Sequence, residues 1–143
     1  KGRMVVPAAL KRQLPDVERE GLVVNRGFEK NLVIYTRAEW NKILKQLSKL
    51  NQFKRENREL VRKFMSGATE LSLDAAGRVL LPKNLLEYEQ IGSELVLACQ
   101  FDKIEVWSKV NFEEALGNIS EDDFAELAEK VMGGYEHEGG EDE

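Results

Sequence analysis

Apolar positions along the chain follow two rhythms. Compact runs such as Met4–Val6, Val79–Leu81 and Leu95–Cys99 have the length of short strands and are bounded by Gly, Pro or polar residues. Wider spacings mark helices. Trp40, Ile43, Leu44, Leu47 and Leu50 recur at helical intervals, and Leu60, Val61, Phe64 and Met65 resume them after a polar gap at 54–59. Two antiparallel helices ending at Gly67 are predicted. A further amphipathic helix, capped by Ser120, carries Phe124, Leu127, Ala128 and Val131 on one face. Beyond Gly133–Gly134, YEHEGGEDE offers too little apolar surface to fold.

The pattern occurs twice. Gly2, Arg3, Pro7 and Leu10 match Gly77, Arg78, Pro82 and Leu85 at an offset of 75. LVVNRGFEK from Leu22 falls on LVLACQFDK from Leu95 at an offset of 73, and after one skipped residue IYTRAEW falls on VWSKVNF. Each copy therefore reads turn, strand, short helix, strand, turn, strand, helix. Gly77 supplies the positive φ of a tight turn, and Asp74 has a side chain that can bond back into it. Leu81 is expected to be extended before Pro82, and Pro82 to open a helix over Lys83–Gln90. Thr36 with Glu39, and Asn111 with Glu114, read as capping boxes at the end of each copy.

A chain of 143 residues forms one domain or two small halves sharing a core, with roughly 68–70% of its surface buried. Its net charge of −5 argues against a polyanionic partner only if the charge is evenly spread. Residues 1–65 hold 16 Lys or Arg against 7 acids, whereas residues 66–143 hold 5 against 19. The basic half would attract a polyanion and the acidic end repel it. The longest apolar run falls far short of a membrane helix, and Pro7 and Lys11 interrupt any secretory leader. The single cysteine, Cys99, forms no internal disulfide, which suits the cytosol.

Two tandem copies of Gly-Arg-(three apolar)-Pro, a helical hairpin between them, and Asp74-x-x-x-Arg78 in the second copy closely resemble the MraZ transcriptional regulators. The resemblance runs from Lys1 to about Val131, and each copy looks like the swapped-hairpin domain of the AbrB and SpoVT class. It implies an α+β fold in which both repeats interleave their hairpins into one small β-barrel with a pseudo-twofold axis, decorated by helices. It also implies a ring-shaped homo-oligomer, an octamer by the family's pattern. The implied function is binding of double-stranded promoter DNA at closely spaced G-rich repeats, controlling, chiefly by repression, the cluster of division and cell-wall genes. A cytoplasmic, nucleoid-associated protein is expected, with no enzyme activity and no cofactor. Family members carry an N-terminal strand and an Asp four residues before the first arginine, positions that here precede Lys1. The first copy is thus expected to be trimmed. The boundaries are a first repeat at 1–38, a helical hairpin at 39–67, a second repeat at 68–111, C-terminal helices at 112–134 and an acidic tail at 135–143.

Arg3 and Arg78 are the candidate base readers, since each follows a turn glycine (Gly2, Gly77) and a guanidinium grips guanine O6 and N7 bidentately. On the residues alone, Arg78 fits equally a scaffold ion pair with Asp74; the resemblance favours DNA contact, with Asp74 orienting the arginine. Lys1, Lys11 and Arg12 are candidate phosphate contacts near Arg3. In the second copy Lys83 stands beside Glu87 and Glu89, so the first repeat is expected to contribute more salt-dependent affinity. Charges between Lys42 and Lys63 alternate with Glu56 and Glu59, which points to a solvated scaffold helix. Trp40 and Phe112 occupy equivalent positions and read as packing residues.

Catalysis finds no candidates. The only histidine, His137, lies in the tail, and Cys99 sits in an apolar strand. Asp122, Asp123 and Glu126 suit a helix start without a metal, and no phosphate-loop pattern surrounds Gly77. The alternative class is a protein-interaction module, antitoxin-like or an assembly scaffold, using the same barrel; the acidic segment at 136–143 reads either as its binding segment or as a solubility feature.

Overall fold

The computed structural model describes residues 2–13, 17–92 and 94–141. In order, these form β1 (Arg3–Val5), α1 (Ala8–Gln13), α2 (Val17–Glu20), β2 (Leu22–Arg26), β3 (Leu32–Thr36), α3 (Arg37–Ser48), α4 (Arg55–Met65), β4 (Thr69–Leu71), β5 (Arg78–Leu80), α5 (Lys83–Tyr88), β6 (Leu95–Gln100), β7 (Lys103–Ser108), α6 (Lys109–Gly117) and α7 (Glu121–Glu141). Two compact units result, Lys1–Asn111 and Phe112–Glu143.

The first unit is a mixed α+β structure with two antiparallel sheets. One is the ribbon β1–β5; the other has the order β4-β2-β3-β7-β6. Strands of the first repeat pair with strands of the second at the ribbon, where Met4 faces Val79, and at β3–β7, where Leu32 faces Val106 and Ile34 faces Ile104. A single closed barrel is not present among the described residues. β4 and β6 end as opposite edges of an open sheet, with no described strand joining them.

Strand alternation divides the apolar residues between two faces. Leu22, Val24, Leu32, Ile34, Ile104 and Val106 point to one side and pack with Met4, Val6, Val79, Leu81 and Leu85 from the ribbon and α5. Each such side chain gains about 1.5–3 kcal/mol by leaving water, so this layer supplies the main driving force. Val23, Val33 and Tyr35 point to the other side and meet Trp40. There the rings form a ladder: Tyr35 to Trp40 at 5.6 Å, Trp40 to Phe64 at 5.6 Å, and Phe64 to Phe28 at 5.9 Å between centroids. The ladder fastens both helices of the hairpin to the sheet. Asn25, fully buried, adds a bond from Nδ2 to the Phe64 carbonyl at 2.8 Å. Trp40 is thus a packing residue, as its spacing suggests.

Several boundaries shift from expectation. Thr36 caps α3 by accepting from the Glu39 amide at 3.1 Å. The equivalent helix α6 is capped by Ser108, which accepts from the Asn111 amide at 3.0 Å, so Asn111 lies inside the first turn and is not the cap. The Asn111 side chain instead donates to the carbonyl oxygens of Lys30 and Glu89. Pro82 is the extended residue ahead of α5 (φ −61°, ψ 130°), and the helix closes at Tyr88 before Gln90 turns left-handed at φ 58°. In the second unit, α7 continues through Gly133–Gly134 to Glu141, where a disordered tail is expected. Ser120 accepts from the Asp123 amide at 3.1 Å, and three acids occupy the first turn. The cap and the acids favour the start of this helix, against a cost of about 1 kcal/mol for each glycine within it.

Gly21 opens β2 at φ 75°, and a β-carbon there would lie 2.7 Å from the Leu71 carbonyl oxygen. This close approach lets Leu22 pair with Leu71. Gly21→Ala is expected to destabilise the fold by about 1–3 kcal/mol through combined strain and collision, read as a lower midpoint in urea.

Candidate nucleic-acid interface

Gly2 and Gly77 both adopt left-handed φ, 80° and 76°. Each lends its carbonyl to the other repeat: Gly2 O accepts from the Leu81 amide at 2.7 Å, and Gly77 O accepts from the Val6 amide at 3.0 Å. These reciprocal bonds fix where β1 and β5 begin, and so where Arg3 and Arg78 stand.

The turn before β5 is organised by Asp74. Its Oδ1 accepts from the amides of Ala76 (2.9 Å) and Arg78 (2.8 Å), while Oδ2 accepts from Arg78 Nε at 2.9 Å. Backbone bonds close the loop, Asp74 N to Arg78 O and Gly77 N to Asp74 O, each 2.9 Å. The Arg78 amide above all, with the Arg78 guanidinium and the Ala76 amide adding to it, holds the Asp74 carboxyl below its ordinary range against an opposing desolvation second only to the Arg78 amide. Binding through Nε orients the guanidinium and leaves the two terminal nitrogens as its outward prongs.

Residues of the ribbon alternate between core and surface. Met4 and Val79 point inward; Arg3, Val5, Arg78 and Leu80 point outward. The register sets Arg3 opposite Leu80 and Val5 opposite Arg78. The arginines are diagonal neighbours, a relation that spans about 7–8 Å on an antiparallel pair. The two apolar side chains between them are 58% (Val5) and 57% (Leu80) exposed. The sequence reading missed this pair, although the alternation in RMV and RVL carries the signal.

Lysine placement differs from the sequence grouping. A β-carbon on Gly77 would lie 3.2 Å from Lys11 Nζ, so Lys11 stands at the turn that leads into Arg78. At the other turn a β-carbon on Gly2 would meet the Leu81 carbonyl oxygen at 3.2 Å, Leu80 at 3.5 Å and then, at 3.8 Å, Leu86, the repeat counterpart of Lys11; Lys83 with Glu87 lines the same groove as Gly2. The crossing of strands exchanges the neighbours: the helix of each repeat covers the glycine of the other. Arg12 is exposed on α1, and Lys1 lies outside the described residues.

Other candidate chemistry stays apart from this face. Burial pushes the Cys99 thiol up, so it remains protonated at neutral pH. Among the described residues no group of His, Cys, Asp or Glu is arranged to hold a metal, and no helix is long and apolar enough to cross a membrane. On the basic hairpin, Arg55 pairs with Glu59 at 3.5 Å across one turn, as charge alternation predicts.

Fold and surface together define a duplicated α+β protein whose two repeats share one arginine-bearing ribbon. A family model described as "MraZ protein, putative antitoxin-like" matches residues 1–63 and 64–133. The chain belongs to the MraZ family. It is 40% identical over 140 residues to the Transcriptional regulator MraZ of Christiangramia forsetii, covering 97% of this chain and 90% of that protein. It is 39% identical over 132 residues to the protein of the same name from Cytophaga hutchinsonii (92% and 87% covered), and 38% over 134 residues to that of Flavobacterium psychrophilum (93% and 85%).

Because its folded carboxyl is held below the ordinary value of 3.8, Asp74 stabilises the turn at neutral pH, and that contribution is lost as pH falls through the lower folded value. Asp74→Ala should therefore lower the melting temperature by a constant amount from neutrality to about pH 4, with the gap closing at more acid pH. Thermal melts of both proteins across pH 2–7, a range set about that value, check this.

Proposed function

We propose that the chain is a DNA-binding transcriptional regulator that reads a G-rich promoter element with the outward face of the β1–β5 ribbon. The observation that carries the reading is the diagonal placement of Arg3 and Arg78 on one rigid face, with Asp74 gripping Arg78 Nε. A two-stranded ribbon fits the B-DNA major groove, and an oriented guanidinium presents paired donors to guanine O6 and N7. Val5 and Leu80 supply apolar contact between the arginines, the chemistry that suits a thymine methyl. Lys11, and outward of it Arg12, would meet phosphate beside Arg78; Lys83, offset by Glu87, does the same more weakly beside Arg3. Lys1, preceding Gly2, is assigned a phosphate by its place in sequence.

The reciprocal glycine bonds and the cross-repeat pairing support assignment to the swapped-hairpin class, with a pseudo-twofold axis through the Met4–Val79 pair. One ribbon makes few contacts, so a ring of copies on spaced repeats raises occupancy through effective concentration. The relatives' names support regulation as the output; repression of the division and cell-wall gene cluster, from the cytoplasm and at the nucleoid, is the reading that follows. A second reading, a protein-interaction module, is favoured by one feature of α7. Phe124, Leu127 and Val131 stand exposed along it at helical spacing.

Arg78→Ala and Arg3→Ala are each expected to weaken binding to the chain's own promoter DNA by about 1–3 kcal/mol per engaged site. Lys11→Ala should weaken specific and scrambled DNA alike and flatten the salt dependence by about one charge. Gel-shift titrations at two salt concentrations check both. Equal binding by wild type and the Arg3/Arg78 double variant would end the assignment.

A further inference from the structure

We propose that the β6–β7 turn of one copy, led by Phe101, inserts into the aromatic pocket beside α4 of a second copy, and that this head-to-tail contact joins subunits. The inference rests on the multi-copy assembly proposed above and supplies its contact.

The repeat itself exposes the missing partner. Phe28 and Phe101 are counterparts at the hairpin tips, in the matched strings GFEK and QFDK. Phe28, 84% exposed, is stacked on Phe64 at 5.9 Å and 17°. Phe101 is 93% exposed and has no ring beside it among the described residues. It also sits in the left-handed region at φ 56°, as the first residue of a two-residue turn between Gln100 and Lys103. Gly, Asn or Asp is at ease there, whereas a bulky side chain is strained. A strained, solvated phenylalanine at a turn is explained by what its ring does outside the chain. The turn is held firm, since the Asp102 carbonyl accepts from the Thr36 amide at 3.4 Å.

The receiving surface is a pocket of about 420 Å³ whose apolar walls are Phe28, Leu60, Phe64 and Tyr88. Arg26 lies 4.7 Å over the Tyr88 ring and, with Lys30 and Lys63, makes the pocket cationic despite Glu29 and Glu89. Phe101 brings a ring for Phe28 and Leu60, and the neighbouring Asp102 brings a third carboxylate to a lining that holds three cations and two acids. A buried aromatic anchor ringed by polar contacts is the usual form of a binding hot spot.

Geometry excludes self-insertion. The pocket adjoins the Leu32 end of β3, where Arg26 pairs with Leu32, and the turn lies at the Thr36 end, where Tyr35 pairs with Lys103. Five residues of strand, about 16 Å, separate the two ends of a stiff sheet. Turn and pocket are different surfaces at opposite ends of the sheet; engaged once per interface, they make a heterologous contact that generates a ring when its rotation closes.

The test uses the full chain without DNA, by sedimentation equilibrium over a range of concentrations. Phe101→Gly removes the ring and relieves the turn. It should weaken self-association about tenfold or more while leaving the melting temperature of dilute monomer unchanged or raised. Asp102→Lys and Lys63→Glu should each weaken association, and the two together should restore it. A wild type that stays monomeric, or Phe101→Gly associating within about twofold of wild type, would overturn the proposal. An Arg3/Arg78 double variant that binds DNA normally would overturn the functional reading and leave this contact standing.

Discussion

Neither repeat can complete its own sheet, and the rest of the molecule follows from that. Each supplies a hairpin, β2–β3 or β6–β7, and a lone strand that finds its partner only in the other copy. Pairing β1 with β5 and β3 with β7 closes the apolar layer over Leu32, Ile34, Ile104 and Val106. A two-stranded hairpin alone is marginal in water; two that share a core hold one another. The ribbon is rigid because its inner residues, Met4 and Val79, belong to that layer.

The same crossing decides the chemistry of the surface. Had each repeat folded on itself, the basic helix α1 would cover its own glycine and gather all the positive charge around Arg3. Exchange carries Lys11 to Gly77 and Leu86 to Gly2. The stronger cation cluster therefore forms at the turn that also holds Asp74, where a carboxylate fixes the arginine's direction. Orientation and charge are concentrated at one end of the ribbon, and apolar contact spreads across its middle.

Much of this was legible in the residues. The turn chemistry around Asp74 located the left-handed Gly77, the duplicated Gly-Arg phrase marked Gly2 as its counterpart, Thr36 announced its helix, and the spacing from Trp40 to Phe64 located the hairpin. The family resemblance implied interleaved repeats, and cross-repeat pairing is what the strands show, though as an open sheet and a ribbon and not as one barrel. The errors have local causes. Asn111 and Ser108 are both good caps, and only the length of β7 chooses between them. Lys11 is near Arg3 in sequence, whereas the strand exchange also sets it beside Gly77 of the other repeat, a proximity sequence distance does not reveal. The tail was judged by composition, which sees two pairs of glycines but not the cap and acids that start α7 upstream. The strain at Phe101 is a dihedral angle, invisible to any pattern of residue types.

Strand exchange between repeats also orders events during synthesis. When the first half leaves the ribosome, one edge of β3 and the edge of β1 that will meet β5 lack partners, and nothing yet made can satisfy them. Their mates are residues 78–80 and 103–106, which emerge much later. Unpaired edges in a nascent chain invite pairing with other chains. The translation rate across the helical hairpin thus sets how long the young polypeptide stays adhesive, and that basic, soluble spacer separates the two sticky halves until both exist.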